Sequence, residues 1–174
     1  MTTPIPEPFR IDSGLTDWAR QVVSAPVDAV LGTLNPDGSV HTAPVGFRFE
    51  GDRILVPTSS RTRKVRNAEA DPRVRVLVMA PVAVRGEDDG WVAADGRADV
   101  VRGEEAQRLN RMAMERYLTH EGRHGYERTF LPLLDVTIAV TPDRWQSWKS
   151  TGMLQTMLDH GYTEDDVARW YVQQ

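Results

Sequence analysis

The chain has 174 residues, 40% hydrophobic and 26% charged, with a formal net charge of −4. That composition suits one soluble globular domain with a substantial core, and the negative balance argues against general nucleic-acid binding. There is no cysteine, which excludes thiol catalysis, cysteine-ligated zinc and disulfides.

Pro4, Pro6 and Pro8 mark an extended arm. It contains neither an apolar run nor a cleavage site, so no signal peptide is expected. No later segment is long enough to cross a bilayer, and a cytoplasmic location without a membrane partner is expected. Leu15, Trp18, Ala19 and Val22 recur at helical spacing and predict a short helix from Leu15 to Ser24. Two strand runs then flank Asn35-Pro36-Asp37-Gly38, a turn sequence, and predict a hairpin. Ala43, Val45, Phe47 and Phe49 alternate along its second strand and are expected to face the core. Gly51-Asp52 turns the chain into a third strand, "RILVPT".

A basic helix is predicted over Ser60 to Ala70, opened by a serine or threonine N-cap. "PRVRVLVMA" and "GWVAADGRADVV" read as the fourth and fifth strands, and Glu104 to Leu118 as an amphipathic helix with Leu109, Met112, Ala113 and Tyr117 on one stripe. "LLDVTIAVTP" is the sixth strand, with Pro142 expected to end it before a short linker. Thr163 to Asp166 cap a last helix carrying Val167, Trp170 and Tyr171 on one face. The expected architecture is mainly β with peripheral helices, a closed or nearly closed antiparallel barrel. Residues 1–26 form the arm and first helix, 27–148 the barrel and 149–174 a helical extension.

Two stretches invite a chemical reading. His120-Glu121-Gly122-Arg123-His124 matches the H-E-x-x-H pattern of zinc proteases, which requires a helix to bring both imidazoles to one metal. Gly122 and Gly125 weaken that helix, no third ligand follows, and the stretch is read as a helix end entering an exposed loop with no metal. The second stretch is "VPTSSRTRKVRNAEADPRVRV". Thr58, Ser59 and Ser60 end a strand, and Arg61, Thr62, Arg63 and Lys64 open the helix. Hydroxyls, helix N-terminal N–H groups and cations within one turn suit a phosphate. A solvated basic helix with an ordinary cap is the alternative.

The ordered set "LGTLNPDGSVHTAPVGF", "ILVPT", "SSRTRKVRNAEADPRVRV" and "DGRADVV" resembles the pyridoxamine-phosphate-oxidase-like superfamily of flavin and deazaflavin split barrels. The resemblance implies a six-stranded antiparallel split β-barrel, homodimeric, with cofactor sites at the dimer interface. It assigns Thr58, Thr62, Arg63 and Lys64 to the cofactor phosphate, with Ser59 adding a hydroxyl or N–H and Arg61 extending the basic patch. It lays the ring along Thr42, Ala43, Pro44 and Val45. Pro44 lacks an N–H and suits an edge strand or a bulge.

"PDRWQSWKSTG" echoes only loosely the C-terminal signature of the vitamin-making oxidases. The divergent deazaflavin-dependent members fit better. The resemblance therefore implies an oxidoreductase that passes a hydride from reduced deazaflavin coenzyme F-420, or alternatively FMN, to a small conjugated substrate. Non-catalytic holding of flavin or haem is the other reading, and an interaction module docking through residues 150–174 is a third. His41 is a candidate proton donor or an ordinary turn histidine. Trp145 and Trp148 wall a pocket or pack a dimer interface, the second being preferred. No acid–base pair is identified, so no catalytic residue is assigned.

Overall fold

Eight strands form one antiparallel sheet in a computed structural model whose described residues are 9–80 and 89–170. In chain order they are β1 (Asp12–Ser13), β2 (Ala29–Leu34), β3 (Val40–Val45), β4 (Arg48–Glu50), β5 (Arg53–Thr58), β6 (Arg73–Met79), β7 (Gly90–Arg102) and β8 (Val136–Lys149). The helices are α1 (Asp17–Ser24), α2 (Arg63–Ala70), α3 (Gly103–Met114), α4 (His120–Thr129), α5 (Thr151–Asp159) and α6 (Glu164–Trp170).

The sheet runs β3-β2-β6-β7-β8-β5-β4, with β1 added to β8. Its two edges, β3 and β4, are successive pieces of one stretch of chain. They are joined through Gly46 and Phe47 and share no hydrogen-bonded ladder. This is a split barrel. Strand alternation sends one side of each strand inward: Leu31, Ile54, Val76, Val92 and Ile138 meet around Phe47, all almost fully buried. Trp18, Ala19, Val22 and Val23 of α1 join that core. Outside the barrel, Leu109 and Ala113 of α3 cover Leu55 of β5 and Ala139 of β8.

Several expectations change. The six expected strands become eight because the hairpin's second strand breaks at Gly46–Phe47 into β3 and β4, and because the arm contributes β1. Alternation survives the break: Val45 and Phe47 are buried, while Ala43 and Phe49 are half-buried. Pro142 does not end the last strand. It pairs with Gly96 at the irregularity in the β7–β8 ladder, where a missing N–H costs no ladder bond, and β8 continues to Lys149. Gly96 is required there, since a Cβ would stand 2.3 Å from the Thr141 carbonyl oxygen. The expected linker after that strand is instead β8 followed by α5.

The helix expected to run to Leu118 ends at Met114 in a 3-10 turn over Glu115–Tyr117. Residues 120–129 are helical rather than looped. Thr119 caps that helix, accepting the Gly122 N–H at 3.2 Å, Tyr126 stacks on Phe130, and Arg111 pairs with Glu127 across to α3. Capping and docking onto α3 outweigh the glycine cost of roughly 1 kcal/mol each. Thr163 and Asp166 form the expected reciprocal cap of α6, at 3.0 and 3.1 Å. Val167 is buried, Trp170 is exposed against Tyr162, and Tyr171 lies outside the described residues.

Candidate functional site

The end of β5 delivers Thr58 into the interior, 4% exposed, and the chain then makes a tight loop into α2. Thr62 stands at the N-cap position in extended conformation, but its hydroxyl does not cap the helix. It donates instead to the Ser59 carbonyl at 2.8 Å and lies 3.4 Å from the Thr58 hydroxyl. The expected serine or threonine cap is therefore absent, because that hydroxyl is committed to the loop. The first-turn N–H groups of α2 consequently have no side-chain acceptor.

Ser60 is held differently. Its N–H and hydroxyl both donate to the Asp135 carboxylate, at 2.7 and 2.5 Å. These bonds hold the Asp135 carboxyl below the usual carboxylate range. Asp135, just before β8, pins the loop from 75 residues away. No motif announces it, and only its acidic character near the start of a strand was visible.

Three cations surround the open helix end. Arg61 and Arg63 are exposed and Lys64 is half-buried. None forms an ion pair with a described residue, although Arg63 lies close enough to Asp37 at the hairpin tip to help lower its pKa. Burial pushes the Lys64 ammonium down from its ordinary value. The basic residues farther along are occupied: Arg66 donates to the Arg61 carbonyl, Arg73 to Asp71, and Arg75 to Asp95 and Gln146.

Asn67, buried in α2, donates to the Thr33 hydroxyl at 3.1 Å and to the Asn35 side-chain carbonyl at 2.9 Å. That fastens the helix to β2, and α2 also packs on β3. The proposed phosphate groups and the proposed ring strand thus sit on neighbouring elements. Among the described residues β3 is an edge of the sheet, and Pro44 on it pairs with Val30 of β2. Thr42 and Pro44 are exposed, Ala43 is half-buried and Val45 is buried, so side chains of only the first two stand on the open face. His41 shares the face of Ala43 and Val45.

Trp145 is half-buried and packs edge-on against Phe49 with ring centres 5.5 Å apart, at the margin of this chain's own core. Trp148 is half-buried opposite Trp91. His120 and His124 are exposed, and among the described residues no three histidine, cysteine or acidic side chains cluster to hold a metal. No described helix is long and apolar enough to cross a membrane.

The sequence profile of the family described as pyridoxamine 5'-phosphate oxidase matches residues 15–149. The chain belongs to that family. Solved structures agree on the pyridoxamine 5'-phosphate oxidase-like split barrel. A conserved hypothetical protein from Mycobacterium tuberculosis is 23% identical, with a TM-score of 0.62 over 76% of this chain and 83% of that one. An F-420 reductase is 20% identical, with a TM-score of 0.56 over 72% and 94%. A FAD-binding protein from Mesorhizobium loti is 17% identical, with a TM-score of 0.56 over 79% and 96%. At these identities the likeness carries the fold. No curated protein matches the chain.

Proposed function

We propose that the chain is an oxidoreductase that binds reduced deazaflavin coenzyme F-420, with FMN as the close variant, and reduces a small conjugated organic substrate. The observation that carries the reading is the uncapped start of α2, with Arg61, Arg63 and Lys64 beside it in no ion pair with a described residue. An anion there gains charge-assisted hydrogen bonds, unpaired N–H groups and the helix dipole together. The donor set therefore fits a phosphate. When bound, the cofactor supplies the hydride chemistry. The chain's part is to hold the phosphate with Thr58, Ser59, Thr62, Arg63 and Lys64, and to offer the edge of β3, from Thr42 to Val45, to the ring.

The family supports the reading, as does the presence of an F-420 reductase and a FAD-binding protein among the structural relatives. We further propose a homodimer with the cofactor between copies. The candidate groups lie on an open face beside the exposed Val40, 66% accessible, and β3 is an edge of the sheet formed by the described residues.

Calorimetric titration with F-420 and FMN at low and high salt tests the cofactor. F-420 is expected to bind more tightly, with an affinity that falls as salt screens its anionic tail. Because Arg73 and Arg75 are paired, that dependence is expected to rest on Arg61, Arg63 and Lys64. Tighter FMN binding would select the FMN variant. A haem absorption band in the purified protein, with neither cofactor bound, would overturn the reading.

A further inference from the structure

The β2–β3 ladder has its last pair at Ala29 and Val45. Two positions further in the same register Val27 would stand opposite Phe47. The Tyr117 hydroxyl occupies the gap between them. It accepts the Phe47 N–H at 3.0 Å and donates to the Val27 carbonyl at 2.8 Å. It also lies 3.1 Å from the Phe47 carbonyl, but its single proton serves one acceptor at a time. Arg116 supplies the other donor: its Nη1 reaches the Phe47 carbonyl at 3.0 Å and the Val23 carbonyl at 3.4 Å. The guanidinium also lies over the Phe47 ring, 4.8 Å from its centre.

The groups that the ladder would have paired are therefore taken up by the turn after α3. A hydroxyl between two backbone groups makes two hydrogen bonds in series where a ladder makes one, so the strands stand farther apart there. The gap falls at the corner where the chain leaves one edge of the sheet as β3 and re-enters at the other as β4. Val45 is two residues from that corner, so the wedge sets how the last residues of β3 diverge from β2.

We propose that Tyr117 and Arg116 are positioning residues for the cofactor's ring: they hold the β3–β4 corner open and thereby set how Thr42 to Val45 are presented to it. This rests on β3 being the ring strand, as in the function proposed above.

The test uses full-length protein and Tyr117→Phe, Arg116→Met, Arg116→Lys and Lys64→Ala. The probes are FMN and riboflavin, which share a ring and differ by the phosphate. Tyr117→Phe and Arg116→Met are expected to weaken both by the same factor, about tenfold, and Arg116→Lys to recover most of the loss. Lys64→Ala is expected to weaken FMN and leave riboflavin unchanged. Amide hydrogen exchange without ligand gives a second readout. Protection along residues 40–45 is expected to fall about tenfold in Tyr117→Phe, with residues 91–94 of β7 unchanged.

Unchanged exchange in β3, or an equal loss in β3 and β7, would overturn the proposal, as would loss of FMN binding with riboflavin intact. If the parent bound neither flavin nor F-420, the proposed function would fall, and the exchange comparison would still decide whether the corner is wedged by these two residues.

Discussion

Lys64 is the most informative single side chain. It is half-buried without a carboxylate partner among the described residues, and burial already disfavours its charge. An arriving phosphate restores that interaction. Removing Lys64 or Arg63 as alanine is expected to lower cofactor affinity about ten- to a hundredfold, since a hydrogen bond to a charged group contributes roughly 1.5–3 kcal/mol. The melting temperature of the cofactor-free protein is expected to stay nearly constant, and titration beside thermal melting checks both. Asp135 acts one step back, by fixing Ser60. Asp135→Ala is expected to weaken the cofactor about fivefold through a looser loop. The Ser60 hydrogen bonds hold the folded pKa of Asp135 below the ordinary carboxylate value. The contribution is thus complete above the unfolded value and is lost as pH falls through the lower, folded one. Affinity limited by this loop should hold from neutrality to about pH 4 and decline below it, which titrations at graded pH would reveal.

Packing between elements relies on a few polar anchors. Asn110 on α3 is fully buried. Its amide donates to the carbonyls of Leu134 at 2.8 Å and Val136 at 3.2 Å, and its side-chain oxygen accepts the Thr137 hydroxyl at 2.6 Å. One side chain thus pins α3 to the start of β8, beside the Asp135 that holds the Ser59–Thr62 loop. Asn110→Ala orphans several buried groups and is expected to cost about 3 kcal/mol, read as a lower urea midpoint with an unchanged slope. A loss below about 1 kcal/mol would mean that water replaces the amide. Asn67 does the same for α2 and the β2–β3 hairpin, and its loss should reduce cofactor affinity as well as stability.

In the whole molecule, both ends of the sheet formed by the described residues come from residues 40–50, so a covalent corner bridges two edges that share no ladder. Val40, 66% accessible, adds apolar surface on the β3 edge. A second copy covering this face would bury that edge and enclose the open cofactor groups. Light scattering at micromolar concentration is expected to give about 39 kDa, twice the 19.6 kDa chain. A 19.6 kDa particle across that range would exclude the dimer and the site between copies.

Local chemistry was readable directly from the residues. The turn at Asn35–Gly38, the alternation of Val74, Val76 and Val78, and the Thr163–Asp166 cap each depend on contacts a few residues apart, so sequence spacing carries them. The closeness of the hydroxyls and cations from Thr58 to Lys64 is visible in the sequence for the same reason, while their role as a phosphate site and β3 as a ring strand remain proposals. Features set by distant partners were hidden. Pro142 looked like a strand end because its tolerance depends on a bulge opposite Gly96, 46 positions earlier. The glycine-bearing stretch 120–129 looked like a loop because its docking on α3 through Arg111 and Glu127 has no local mark. The residues predict a serine or threonine cap on a helix opening at Ser60, yet the helix starts at Arg63, and whether the Thr62 hydroxyl turns to it or to Ser59 depends on a loop fixed by Asp135. Tyr117, read as one more residue of an apolar helix stripe, closes the gap between Val27 and Phe47, 90 and 70 residues away. A hydrogen bond's partner at that separation is chosen by how the whole sheet folds, and no spacing along the chain encodes it.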